Sequence, residues 1–191
     1  MYSFFKIVLI LIFKTIFRCK VSGQENIPKQ GGLIIASNHI SLWDPPLIGA
    51  FMPRPVHFMA KEELFTSPVF SWVIRQLNAF PVRRGTADRN AIRTAISIVE
   101  NGKCLGLFPE GTRSKSGELG QAEPGLAMIA IKAGAAIVPT AIIGTNSKEL
   151  FPQFEIRFGK PIFLDKNKAD KDGINKISDA IMSEIKNLLD A

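Results

Sequence analysis

The chain has 191 residues, a formal net charge of +7 at pH 7 and 46% hydrophobic residues. This composition excludes an intrinsically disordered protein, and the length fits one domain with at most a small appendage. Because basic charge accompanies an apolar excess, we expect a membrane surface or a phosphate-bearing substrate as partner, and no nucleic acid. Two cysteines and two histidines argue against a disulfide framework or a zinc site, and we expect no cofactor.

The first 20 residues combine a strongly apolar stretch with four cations and no acid. As a helix, residues 4–17 would be about 21 Å long, which is too short for a hydrocarbon core of about 30 Å. No small-residue cleavage site of a signal peptide follows. On a helical wheel Lys6, Lys14 and Arg18 fall on one half, opposite most of the large apolar side chains. This predicts a helix in the membrane interface, with its cations toward the headgroups; the alternative is the first core helix of a soluble domain.

Beyond residue 20, short apolar runs alternate with segments of 3.6-residue periodicity. We expect strands at 33–36, 56–60, 79–82, 104–108, 137–143 and 155–158, the last at an edge of the sheet. We expect helices at 69–77, 87–100 (capped by Thr86), 125–133 and 174–189, and a polar loop at 165–173. Strands separated by helices predict an α/β domain over residues 21–191, with a mostly parallel sheet that helices cover.

Ligands of such sheets bind at the carboxyl ends of strands, and the first predicted strand is followed by His39 and Asp44. His39 is the best acid–base candidate, because imidazole changes charge near neutral pH. Pro45 predicts that the turn ends at Asp44, so the Asp44 carboxylate can reach the ring and orient it. Two alternatives stay open: Asp44 caps the helix that follows, or His39 is an ordinary hydrogen-bonded turn residue. We interpret His57, inside an apolar strand, as structural.

The turn after the fourth predicted strand indicates an anion site. Gly111 permits a positive-φ turn that exposes backbone N–H groups. Arg113, with Arg84 from the turn after the third strand, supplies guanidinium groups suited to phosphate. Glu110 is expected to pair with an arginine or to contact a substrate hydroxyl; a surface turn with ion pairs is the alternative. Since the nucleophile-elbow, P-loop and dinucleotide motifs are missing, the pattern favours direct attack by a substrate hydroxyl on an activated acyl group, without an acyl-enzyme.

Four stretches in order carry a family resemblance. Residues 38–44 fit N-H-x-x-x-x-D, residues 80–85 read FPVRRG, residues 108–114 read FPEGTRS and residues 137–139 read IVP. Together they resemble the motifs of the glycerolipid acyltransferase family, in particular its bacterial lysophosphatidate acyltransferases. The resemblance extends over about residues 20–163. It has two departures: Asn78 stands where the family often has Gly, and Glu123 stands where a basic residue is frequent, which weakens a role for that loop in binding CoA phosphates.

The resemblance implies a role for each matched residue. His39 would be the general base for the acceptor hydroxyl, and Asp44 would orient it. The phosphorylated head of lysophosphatidate would be bound by residues of the second and third motifs and by one basic neighbour. These are Arg84, Glu110, Gly111, Thr112, Arg113 and Lys61.

The resemblance also implies an activity and a location. A fatty acyl group would pass from acyl-CoA or acyl-carrier protein to the sn-2 hydroxyl of 1-acyl-sn-glycerol-3-phosphate, giving phosphatidic acid for phospholipid biosynthesis. The fold would be glycerol-3-phosphate acyltransferase-like. Residues 1–20 would form a membrane-interfacial segment, which places the protein on the cytoplasmic face of the cell membrane as a peripheral or monotopic protein. Acylation of another lysolipid, or non-enzymatic lipid binding, are the alternatives.

Overall fold

Helices and strands alternate along the chain in the computed structural model, which describes residues 2–83, 88–164 and 171–191. The helices are α1 (Tyr2–Thr15), α2 (Asp44–Phe51), α3 (Pro68–Gln76), α4 (Arg89–Glu100), α5 (Gly125–Ala133) and α6 (Lys171–Asp190). The strands are β1 (Lys20–Ser22), β2 (Leu33–Ser37), β3 (Val56–Lys61), β4 (Ala79–Val82), β5 (Cys104–Leu107), β6 (Ala136–Ile143) and β7 (Glu155–Phe158).

The strands form one sheet in the order β1-β7-β6-β2-β5-β3-β4. The five from β6 to β4 run parallel to one another, while β7 is antiparallel to β6 and parallel to β1. The carboxyl ends of β2, β3, β4, β5 and β6 therefore meet at one edge of the sheet, which we call the carboxyl edge. The predicted mixed fold with a mostly parallel sheet is confirmed.

Helices cover both faces of the sheet. Leu33 and Ile35 of β2 pack with α1 and α2 in one hydrophobic core. Ile34 and Ala36, which point to the opposite face, pack with α4, α5 and α6 in a second core. Because all five β2 residues are buried, this strand reads as a continuous apolar run, as expected for a covered parallel sheet.

Several boundaries differ from prediction. The three-residue strand β1 was not predicted, and because it pairs with β7, the predicted edge strand is internal. Helix α4 begins at Arg89, and Asp88 caps it by accepting from the N–H groups of Asn90 and Ala91; Thr86 lies outside the described residues. The predicted loop at 165–173 extends too far, since α6 begins at Lys171.

Asn78 preserves the turn in which the family often has Gly. Its φ is 60°, in the left-handed region that Gly favours and Asn tolerates. The substitution therefore leaves the local backbone path available.

Helix α1 has two different faces. Phe13 is fully buried and its ring lies 6.0–6.3 Å from the rings of Trp43, Phe51 and Phe154. The opposite face carries exposed apolar side chains, namely Phe4, Ile7, Val8 and Leu11. We call these four residues the outer face of α1. Among the described residues, no helix has the length and hydrophobicity needed to span a membrane.

Lys6 lies on the inner side of α1. Its Nζ donates to the main-chain O of Met52 at 2.6 Å, beside the C-terminus of α2, where a cation is favoured. Burial lowers the pKa of Lys6. The expectation that Lys6 points toward lipid headgroups is therefore wrong, and the side that faces away from the domain is mainly apolar.

Candidate active site

His39 and Asp44 meet at the carboxyl edge, directly after β2. His39 is 6% exposed and Asp44 is fully buried. The Nδ1 atom of His39 lies 2.8 Å from Oδ2 of Asp44. A carboxylate at Nδ1 favours the tautomer whose Nε2 is an acceptor, so the ring has a nitrogen free to accept a proton.

The Asp44 carboxylate has four hydrogen-bond partners among the described residues. Besides the His39 ring, its Oδ2 accepts from the N–H groups of Ile40 and Ser41 at 2.8 and 2.7 Å. Its Oδ1 accepts from the hydroxyl of Thr145 at 2.7 Å. Asp44 is the first residue of α2 and binds the N–H groups of the preceding turn, so the alternative that it caps the following helix is wrong. These donors compensate a buried carboxylate that would otherwise be costly.

The third motif holds the backbone of His39. The N–H of His39 donates to Oε1 of Glu110 at 3.1 Å, and its carbonyl accepts from the N–H of Ser114 at 2.8 Å. The imidazole also stacks on the ring of Phe108, with centroids 3.9 Å apart. The other Glu110 oxygen accepts from the N–H of Gly120 at 3.0 Å. Glu110 therefore has backbone partners on both oxygens, where pairing with an arginine or a substrate hydroxyl was expected.

The residues predicted for the anion site are partly assembled. Gly111 has φ +68°, as its turn role requires, but its N–H donates to the Phe108 carbonyl at 3.0 Å. Thr112 and Arg113 are exposed beside it. Lys61 ends β3 on the same edge, and its Nζ lies 2.9 Å from Oε1 of Glu63. The predicted phosphate ligand Arg84 lies outside the described residues.

A cleft opens beside this turn. Its wall is mostly apolar but carries the charged side chains of Arg83, Asp88, Glu110 and Glu123, after which we call it the polar cleft. Its volume is about 630 Å³, and Phe108, Gly111 and Thr112 also line it. The Arg83 guanidinium lies 2.9 Å from a Glu62 carboxylate oxygen. Donation from the N–H groups of Arg83 and Ala91 lowers the pKa of Asp88.

An apolar cavity lies on the other side of the His39 turn. Its volume is about 170 Å³, and α1, α2, α3, β3 and β4 all contribute to its wall. Leu42, from the turn between His39 and α2, and Pro45, in the first turn of α2, line it, whereas Phe108 and Glu110, which contact His39, line the polar cleft. Neighbours of His39 thus line both the polar cleft and the apolar cavity.

The sequence did not identify two buried residues that hold this site. The Asn38 side chain bonds both the N–H and the carbonyl of Ile142, at 2.8 and 2.9 Å, and so ties the end of β6 to β2. Thr145 follows β6 and reaches Asp44 from 101 residues downstream. Asn38 belongs to the first motif, which was a signal, but no local pattern marks Thr145.

Comparisons with known proteins agree with this geometry. A family model described as "Acyltransferase" matches residues 18–143. The chain is 31% identical to the 1-acyl-sn-glycerol-3-phosphate acyltransferase of Bacillus subtilis, covering 98% of this chain and 96% of that protein. It is 34% identical to the lyso-ornithine lipid O-acyltransferase of Pseudomonas aeruginosa, over 66% of this chain and 47% of that protein. The crystal structure of the 1-acyl-sn-glycerophosphate acyltransferase PlsC from Thermotoga maritima matches with a TM-score of 0.79 and 31% identity, over 98% and 79% of the two chains.

Proposed function

The chain belongs to the acyltransferase family, and from this premise we propose that it transfers a fatty acyl group from an acyl thioester to the sn-2 hydroxyl of 1-acyl-sn-glycerol-3-phosphate. The observation that carries the proposal is the His39–Asp44 pair at 2.8 Å, whose neighbours line the polar cleft and the apolar cavity. The names of the relatives supply the acceptor. Phosphatidic acid is the product.

His39 acts as the general base in this proposal. Its Nε2 takes the proton of the acceptor hydroxyl as the oxygen attacks the thioester carbonyl. The C–S bond then breaks, and the thiolate leaves with the proton from His39, so that no acyl-enzyme forms. Asp44 fixes the ring and stabilises the imidazolium that forms during attack. Glu110 and Ser114 hold the His39 backbone, which keeps the base in place between turnovers.

The two cavities divide the substrates. We assign the phosphate of the acceptor to the rim of the polar cleft at the turn of the third motif. Thr112 lines the cleft there, Arg113 is the next residue and is exposed, and Arg84 belongs to the same set by motif. Lys61 is a further cation on this edge. The apolar cavity fits an acyl chain, because a pocket walled by aliphatic and aromatic side chains favours hydrocarbon. Either acyl-CoA or acyl-carrier protein fits as donor.

We also propose that the protein works on a membrane surface, held there by the outer face of α1. Phe4, Ile7, Val8 and Leu11 are exposed on one side of this helix, and Lys14 is exposed near its end. Such a helix binds by burying its apolar face at the headgroup boundary, and nearby cations are attracted to anionic lipids. The inner face packs on the domain through Phe13.

A panel of acceptors and donors tests this function on purified protein in detergent. We expect turnover with 1-acyl-sn-glycerol-3-phosphate and an acyl thioester, with release of one thiol per ester formed. Release of thiol without ester formation would indicate a thioesterase and contradict the proposal. The same panel with acyl-CoA and acyl-carrier protein identifies the donor.

A second acceptor class is favoured by one comparison. The 34% identity to a lyso-ornithine lipid O-acyltransferase makes a lysolipid with an amino-acid head the alternative. The phosphate-binding assignment separates the two, because an acceptor without phosphate gains nothing from Arg113. Preferential turnover of lyso-ornithine lipid over the phosphorylated acceptor would replace our main proposal by this one.

A further inference from the structure

Two exposed large apolar side chains lie in the segment between β6 and β7. Leu150 is 83% exposed and Phe151 is 57% exposed. Since β6 runs parallel to β2, this segment starts at the carboxyl edge, where His39 lies. Isolated exposed apolar residues are common, so the surroundings of this pair decide whether it has a role.

The segment is fastened to the end of α1. The Arg18 guanidinium donates to the Phe151 carbonyl at 3.1 Å. The Phe154 N–H donates to the Phe17 carbonyl at 3.0 Å, and the two phenyl rings stack with centroids 4.2 Å apart. Leu150 and Phe151 therefore lie beside the C-terminal end of α1, the helix that carries the outer face.

The turn that carries His39 lies against the same end of α1. Leu42 and Trp43 are exposed, and the Trp43 ring lies 5.6 Å from the Phe17 ring. Trp43, the residue before Asp44, thus contacts the end of α1 to which the 150–151 segment is bound. Trp side chains are favoured at membrane–water interfaces.

The charged side chains near Leu150, Phe151 and Trp43 fit an anionic lipid surface. Arg18, which binds the Phe151 carbonyl, and Lys148, three residues before Phe151, are exposed, as is Lys14 near the end of α1; Glu149 is an exposed acid beside them. We propose that Leu150 and Phe151 insert into the bilayer as a second contact beside α1, which turns the segment of Leu42 and Trp43 toward the lipid. The acceptor then reaches His39 from the membrane without crossing water. This inference rests on the membrane part of the proposed function.

Vesicle sedimentation of the full chain tests it, with anionic phosphatidylglycerol and zwitterionic phosphatidylcholine. We expect the double variant Leu150→Ser/Phe151→Ser to lower partition onto anionic vesicles about tenfold. Phe163→Ser is the matched control: Phe163 is 75% exposed but follows Ile162, which pairs with Ile137 near the opposite end of β6. Its partition should stay within about twofold. Turnover in detergent should be unchanged in both.

The variant Ile7→Ser/Leu11→Ser separates this inference from its premise. If it loses binding while the 150–151 variant binds like wild type, the second contact is wrong and the α1 proposal stands. If only the 150–151 variant loses binding, the α1 proposal is wrong. If the 150–151 variant instead abolishes a dimer in solution and keeps its vesicle binding, the patch contacts a second copy and our inference is overturned.

A different observation concerns Thr145. This residue is 6% exposed, and its hydroxyl is the donor at 2.7 Å to the Asp44 oxygen that His39 does not use. The preceding Gly144 has φ +84°, and a Cβ there would lie 2.2 Å from the Gln153 carbonyl oxygen. Only glycine therefore permits the turn that brings Thr145 to Asp44.

We infer that Thr145 is a positioning residue for the reaction. By holding Oδ1 it fixes the plane of the carboxylate and with it the His39 ring. Thr145→Val keeps the shape but removes the donor, and we expect kcat to fall about tenfold.

Thr145→Ser keeps the hydroxyl and provides the rescue. We expect it to restore most of the turnover. If Ser behaves like Val, or if Val leaves kcat unchanged, the assignment is wrong. Thermal unfolding of both variants identifies a loss that arises only from packing. A failure here leaves the general-base proposal intact, since the His39→Ala variant tests that proposal separately.

Discussion

In most proteins polar side chains are exposed and apolar side chains are buried. The turn after β2 and the outer face of α1 both depart from this distribution, each in a different way. His39 and Asp44 at the end of β2, with Thr145 from the segment after β6, are polar and buried; on the helix, Ile7 and Leu11 are apolar and exposed. Buried polar groups are retained where hydrogen bonds compensate their desolvation, and clustered exposed apolar groups mark contact surfaces. The contrast indicates chemistry in the first region and docking in the second. A substitution in one region should therefore leave the function of the other unchanged.

We expect the largest effect from His39→Ala, which removes the base and leaves α1 unchanged. We expect turnover to fall about 10²–10⁴-fold, the range of a general base, while vesicle binding stays at the wild-type level. Assays at saturating acceptor and donor measure the first, and sedimentation measures the second. Turnover within tenfold of wild type would remove His39 from the mechanism.

The double variant Ile7→Ser/Leu11→Ser tests membrane binding, because it changes the helix surface and leaves the buried turn unchanged. We expect partition onto anionic vesicles to fall by at least about tenfold, with kcat in detergent unchanged. Deleting residues 1–18 would be a poorer test, because Phe13 is fully buried and its removal would open the core. A loss of kcat in detergent would contradict the division into two regions.

Within the polar region, Arg113→Ala separates binding of the acceptor from the chemical step. We expect the KM of the phosphorylated acceptor to rise about fivefold to tenfold with little change in kcat, because a guanidinium–phosphate interaction that is equally strong in the ground and transition states contributes only to KM. Lys115→Ala, an exposed cation two residues away, is the matched control. An equal rise in KM for an uncharged acceptor would show that Arg113 does not read the phosphate.

The sequence predicted well what depends on local pattern. The predicted bounds of β4, α5 and β7 agree with the structure, because the apolar pattern marks these elements and Gly134 and Gly159 directly follow α5 and β7. The three-residue strand β1 was missed, since β7, with which it pairs, lies more than 130 residues downstream. The first motif named His39 and Asp44, and the structure brings them together.

What the sequence could not supply is the direction and the distant partner of a side chain. Lys6 has the polarity of a headgroup contact, yet it turns to the Met52 carbonyl because the end of α2 lies there. Glu110 looked available for substrate, yet both its oxygens accept backbone N–H groups. Such outcomes depend on which loops meet in three dimensions, which no local pattern encodes.

The smallest expected effect concerns His57, which contrasts with His39 in its surroundings. His57 lies half-buried in β3 with Nδ1 3.2 Å from the Cys104 carbonyl, and desolvation by burial lowers its pKa. Below about pH 6.5 the unfolded chain then binds more protons than the folded one, so this residue reduces stability as the pH falls. His57→Gln should therefore shrink the fall in Tm between pH 7.5 and 5.5 by about 1–2 °C, with turnover at pH 7.5 unchanged. A loss of turnover comparable to that of His39→Ala would place His57 in the catalytic machinery and end its interpretation as structural.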